Sequence, residues 1–306
     1  MPQSAPRPKA GLSRRIAWIF AGPTGLRLGW SVLLFLLMAG VVQIGLAIGL
    51  SAAGVSSAVM GRDPESALGT IRIVSLMLVS VVVATAGMAL VERRGPAQYG
   101  LAPSPLPPRL AQGAAIGLAM MAALAGTLVA LGALRLDPPA LDGAQALRQG
   151  LLWLVACLMI GLYEELVLRG YLLARLARSL GYRWAIILTS LLFAAGHLSN
   201  AGEGWIGLVS VVLIGLVFGY SVWKTGSLWW AIGYHTAWNW AQSFLFGVGN
   251  SGHESTGSLM SGHPLGAAWL SGGPTGPEGS LLNLVVIAAT AALLRWGVRG
   301  APRERA

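Results

Sequence analysis

Residues Leu151-Leu152-Trp153-Leu154-Val155-Ala156-Cys157-Leu158-Met159-Ile160-Gly161-Leu162 lead directly into Tyr163-Glu164-Glu165-Leu166-Val167-Leu168-Arg169-Gly170. The first part reads as the body of a membrane-spanning helix. The second places two adjacent carboxylates at its end, where one acidic residue at a helix centre costs roughly 2.5 to 3.5 kcal/mol. On a helix, Glu165 and Arg169 lie four apart with the acid N-terminal to the base, the better orientation for an ion pair. Glu164 is turned about 100° from Glu165 and can point elsewhere. The stretch predicts one carboxylate held by the arginine and one left for other work.

The surrounding chain fits a membrane setting. Of its 306 residues 55% are hydrophobic and only 10% are charged, against roughly 25% charged in a soluble domain. The formal net charge of +10 does not point to nucleic acid, because the basic residues sit in short clusters at the ends of apolar runs, as topology signals do. The single cysteine, Cys157, lies inside such a run and is expected to serve packing.

A span needs about 20 mostly apolar residues. The candidates are Leu28–Leu50, Ile73–Val91, Leu110–Leu134, Leu147–Leu168, Trp184–Leu198, Trp205–Trp223, Leu228–Phe246 and Leu281–Trp296. The predicted fold is therefore all-α: a polytopic integral membrane protein of about eight transmembrane helices, with a polar intramembrane cavity among them. Trp30, Trp184, Trp205, Trp223 and Trp296 suit an interfacial belt. The run at 28–50 is too long for a signal-peptide core, so it is read as an uncleaved first helix.

With the N-terminus inside, one set of connections carries Arg7, Lys9, Arg14, Arg15, Arg27, Arg93, Arg94, Arg109, Arg169, Arg175, Arg178, Arg183, Lys224, Arg295, Arg299, Arg303 and Arg305. The other holds Arg62, Arg135 and Arg148, with Arg72 at a boundary. This asymmetry predicts both termini in the cytoplasm, in what the composition suggests is a bacterial inner membrane. The chain divides into a basic cytoplasmic tail at 1–27, N-terminal spans at 28–134, a core at 147–246, a Gly/Ser-rich outside loop at 247–280 read as flexible, and a last span with a basic tail at 281–306.

Only two acidic residues, Glu164 and Glu165, fall within an apolar helix. Of the four histidines, His253 and His263 fall in the outside loop, whereas His197 and His235 lie in spans. Phe193 precedes His197 by one turn, and Asn239 follows His235 by one turn, each sharing its partner's face. Taken singly, a buried histidine or asparagine most often just bonds across helices. Three neighbouring spans that each carry such groups are a functional-site signature.

Together, Glu164-Glu165-x-x-x-Arg169, Phe193-x-x-x-His197 and His235-x-x-x-Asn239 resemble the three motifs of the CPBP intramembrane protease family, which groups type II CAAX prenyl endopeptidases with bacterial Abi proteins. Glu92-Arg93-Arg94 followed by Tyr99-Gly100-Leu101 looks like the signature that often precedes that core. Leu168 departs from the Phe many members have there, and leaves the polar set intact. The resemblance implies peptide-bond hydrolysis with Glu164 as general base and His197 holding the water. It implies oxyanion donation from His235 and Asn239, and a positioning role for Glu165 with Arg169. The Tyr163 hydroxyl is a further candidate donor.

Two histidines and a glutamate on separate helices are also compatible with a catalytic zinc, so Glu164, His197 and His235 are the candidate ligands if a divalent metal is used. No His-Glu-x-x-His is present, and the same motifs serve a metal-free mechanism. By helical rise, Glu164 falls near the cytoplasmic end of its span and His197 nearer the middle or beyond, so a conical cavity open to the cytoplasm is expected to unite them. The expected partners are the bilayer and a membrane-associated protein or peptide substrate, not nucleic acid. A non-catalytic scaffold for a membrane partner, or a proton-coupled transporter using the two glutamates, are the competing readings; no internal repeat supports the latter.

Overall fold

The computed structural model describes residues 19–22, 25–55, 62–102 and 106–300. Most of the basic N-terminal tail and the last six residues of the C-terminal tail lie outside these. All eight apolar runs form helices: α1 (Leu28–Ala52), α2 (Ala67–Glu92), α3 (Leu106–Ala130), α4 (Gly143–Glu165), α6 (Tyr182–His197), α7 (Trp205–Thr225), α8 (Trp229–Trp240) and α9 (Leu281–Gly297). Between the fourth and fifth runs, α4 continues through a π-helical turn (Leu166–Leu172) into α5 (Leu173–Leu180). Five of the described helices, counting α4 to α5 as one, are long and apolar enough to cross a membrane. Leu36, Leu37, Val41, Ile44, Leu90 and Val285 face outward, as lipid contact requires. The five tryptophans expected at the interface are likewise all exposed. The protein is an all-α, polytopic integral membrane protein.

Helix α8 is the axis of the bundle. Trp230, Ala231, Ile232 and His235 are buried, and α3 and α4 lie against it. Gly113 and Gly117, one turn apart on α3, admit the backbone of α8: a Cβ at either would run into the carbonyl oxygen of Trp230 or of Tyr234. Gly233 on α8 answers them, since its Cβ would strike the Leu110 carbonyl oxygen. This is the small-residue contact that brings membrane helices together where the hydrophobic effect is absent.

Burial corrects the charge count. Arg169 and Arg175, assigned by the sequence to a cytoplasmic segment, are 1% and 7% exposed. They lie on the continuous α4–α5 path, where each has an acidic partner. Arg175 lies 3.6 Å from Glu92, which also accepts from Arg178 at 2.7 Å and from the Tyr171 hydroxyl at 3.0 Å. The Tyr99 hydroxyl is 3.5 Å away. Glu92 and Tyr99 of the preceding signature thus form a hub tying the end of α2 to α5.

The outside loop is also not a loose connection. Leu134–Leu136 pairs antiparallel with Gly262–Pro264, and Ser66 bridges to Thr256. Asn250 donates to Ser243 at 3.1 Å, Gln242 to the Gly249 carbonyl, and Ser251 to Glu278. The expected flexible segment is an ordered cap over one end of the bundle. Its many glycines serve close approach, because a Cβ on Gly276 would strike the carbonyl oxygen of Gly249.

Removing the common partner of a buried ion cluster leaves uncompensated charge. Glu92→Ala is expected to destabilise the protein by about 3 kcal/mol, read as a lowered unfolding midpoint in detergent; an unchanged midpoint would show that the hub is not a structural tie.

Candidate active site

Glu165 is fully buried, and its Oε1 accepts from Arg169 Nη1 at 3.0 Å. The same oxygen is 3.3 Å from His235 Nδ1 on α8. The arginine head lies 4.5 Å from the centre of the Phe193 ring and 5.6 Å from that of Phe218, so aromatic faces take up charge that the carboxylate does not. Gly215 on α7 makes room for it: a Cβ there would stand 2.9 Å from Arg169 Nη2. A π turn begins immediately after Glu165, and a second (Ala241–Leu245) begins two residues after Asn239. Such turns are rare and concentrate at functional sites.

With Nδ1 of His235 directed to Glu165, its Nε2 faces Glu164, whose Oε2 is 3.5 Å away. Glu164 differs from its neighbour in retaining a quarter of its side-chain exposure, and it lines a cavity of about 720 Å³. His197, His235, Asn239 and Phe193 line the same cavity. His197 Nδ1 is 2.8 Å from the Phe193 carbonyl oxygen. That oxygen can only accept, so Nδ1 is the donor, which in the neutral ring leaves Nε2 as an acceptor. All six sequence-selected residues therefore meet in two connected groups, with Glu165 and Arg169 in the packed interior and the other four on the cavity wall. Tyr163 is not on that wall; it packs against the apolar cluster containing Leu166 and Leu172.

The direction of the cavity differs from expectation. Its walls do not run to the arginine-rich end. They run along α2, α4, α6, α7 and α8 to Glu65, Asn200, Ala201, Ser251, His253 and Glu254, which belong to the connections at the opposite end. Rise counted from assumed helix ends misplaced it, because α4 passes through its π turn into α5 instead of stopping at a membrane surface.

Two acidic residues near this mouth were not singled out by the sequence. Glu278 lines the cavity and is held by the backbone N–H and hydroxyl of Ser251. Glu203 precedes α7, and neither of its carboxyl oxygens has a hydrogen-bond partner. Burial, reinforced by the Glu278 charge, pushes the Glu203 carboxyl up to about 7; burial also raises Glu278. Both stand in glycine-flanked turns that read only as loops, so no periodicity could mark them.

Among the described residues no three His, Cys, Asp or Glu side chains converge closely enough to hold a metal ion. Glu164, His197 and His235 as placed do not form a ligand set, and no step below is routed through a metal.

Fold and site define a polytopic membrane protein with carboxylate, imidazole and amide groups around a cavity of about 720 Å³ between its helices. Residues 146–241 match the family model described as type II CAAX prenyl endopeptidase Rce1-like; this segment spans α4 to the start of the second π turn and carries all six residues. No curated protein and no solved structure matches the chain.

Arg169→Ala is expected to cost about 3 kcal/mol by leaving Glu165 buried with His235 as its remaining partner, whereas Arg169→Ala combined with Glu165→Ala should recover part of that loss in the same melt. A double variant no more stable than the single one would contradict the pairing. The neutral form of Glu203 is the one the fold favours. Its contribution is complete below about 4.5 and lost as pH rises through about 7. Glu203→Gln should therefore flatten the fall in melting temperature over that window, and an unaltered profile would refute the assignment.

Proposed function

We propose that the protein is an intramembrane endopeptidase that hydrolyses a peptide bond of a membrane-associated protein or peptide. The observation carrying this reading is the unequal treatment of the adjacent carboxylates. Glu165 is locked by Arg169 and His235, while Glu164 stays on the cavity wall beside His235 Nε2. A neighbour fixed on two sides holds the backbone of Glu164 in register, as a catalytic base requires.

In the reaction, a water held between Glu164 and His197 Nε2 attacks the scissile carbonyl carbon as Glu164 takes its proton. The developing oxyanion is stabilised by the Asn239 amide, and by His235 Nε2–H when both ring nitrogens carry protons. Collapse of the tetrahedral intermediate breaks the C–N bond, and the protonated Glu164 returns its proton to the leaving amine. Glu165 and Arg169 act as positioning residues. The substrate is a membrane-anchored or membrane-delivered polypeptide, and the setting is a bacterial cell membrane with both chain ends in the cytoplasm.

The test is a comparison of membrane peptidomes from cells carrying the wild type, Glu164→Gln at equal abundance, or a deletion. A peptide terminus present only with the wild type is the expected result. A deletion phenotype fully restored by Glu164→Gln would favour the non-catalytic scaffold. Once a cleaved peptide is in hand, Glu164→Gln should lower kcat by about 10²- to 10⁴-fold, and Asn239→Ala by about 10²- to 10³-fold.

A further inference from the structure

Helix direction sorts every connection to one of two ends. The starts of α1 and α3 and the ends of α2 and α7 come together at the first: Arg109 donates to the Arg299 carbonyl, Lys224 to the Leu294 carbonyl at 3.0 Å, and Leu228 N–H to the Gly100 carbonyl at 3.0 Å. This end carries Arg93, Arg94, Arg109, Arg178, Arg183, Lys224, Arg295 and Arg299. The second end gathers the start of α2, the turn between α6 and α7 and the cap, through Ser66 with Thr256 and Gly204 with Thr275. Its described basic residues are Arg62, Arg72, Arg135 and Arg148. By the positive-inside rule the first end is cytoplasmic.

The cavity belongs to the second end. Exposed Glu65, Ala201, His253 and Glu254 line it there. Towards the first end its lining reaches Glu164, Phe193 and Phe218. Leu168, Arg169 and Leu172, which follow Glu164 in the chain, are buried and form a packed floor outside that lining, and the Glu92 hub joins the same segment through Tyr171 and Arg175. A polypeptide arriving from the arginine-rich side meets this packed floor; one arriving from the other side meets the mouth.

Accepting the proteolytic reading above, we propose that the catalytic cavity opens on the non-cytoplasmic face, and that the substrate class is a membrane-anchored or exported polypeptide whose scissile bond lies on that face. A lipid-modified cytoplasmic C-terminus is then not a substrate. The cap at 247–280 is a wall of the entry route, which accounts for its order.

Single cysteines test the side without reference to activity. Glu254→Cys and Ala201→Cys mark the mouth, and Gln98→Cys marks the opposite end; the wild type, with only buried Cys157, is the control. With a membrane-impermeant sulfonated maleimide, the mouth cysteines should react fully in intact cells and Gln98→Cys only after permeabilisation. The reverse pattern overturns the proposal. Substrate side is read separately, by mapping new termini in the wild type against Glu164→Gln. Termini on non-cytoplasmic segments support the substrate class, and termini on cytoplasmic segments overturn it. Labelling from outside without any wild-type-specific terminus would instead defeat the proteolytic reading, and the substrate class with it, while the orientation of the cavity stood.

Discussion

The buried contact between Glu165, Arg169 and His235 is the constraint on which the rest of the architecture turns. Opposite charges this deep are costly to desolvate and gain stability only when geometry and additional partners are good. Each neighbouring helix supplies one such partner or makes room for one. The π turn carries Arg169, α6 and α7 present the faces of Phe193 and Phe218, Gly215 leaves space beside the guanidinium, and α8 brings in the imidazole. Helices so committed cannot slide independently. Glu164 is thereby fixed relative to His197 and Asn239, although it forms no hydrogen bond to either.

A second polar cluster repeats this logic closer to the arginine-rich end. Glu92 gathers Tyr171, Arg175 and Arg178, and the stacked rings of Phe35 and Tyr171 carry the contact to α1. The polar interior is thus two layers deep on one side of the cavity and open on the other. The outermost layer at the open side is the cap, whose glycines allow backbone to rest on backbone.

Much of this was legible in the sequence because bilayer physics is blunt. Eight apolar runs gave eight helices, and ionisable residues placed inside apolar runs at 164, 165, 197 and 235 marked the site, because their cost in a bilayer asks for a reason. What was not legible depends on three-dimensional closure. Arg175 looked like any other basic residue after a span until Glu92, 83 positions earlier, was seen beside it. The Gly113 and Gly117 stripe was lost among 42 glycines. The cap resembled a linker by composition, yet Thr275, Asn250 and Gln242 tie it down through hydrogen bonds that leave no periodic trace. The direction of the cavity followed from where α4 truly ends, which hydropathy cannot report.

The π turn at Leu166–Leu172 also changes how this helix must be compared with others. A π turn accommodates about one residue more than an α turn, so angular position slips by roughly 100° across it. A helical wheel drawn through 143–180 as uniform α-helix would assign Arg175 and Arg178 to the wrong faces. An alignment of this segment with a regular α-helix needs a one-residue gap between Glu165 and Leu173, where a mechanical alignment sees no loop in which to put one.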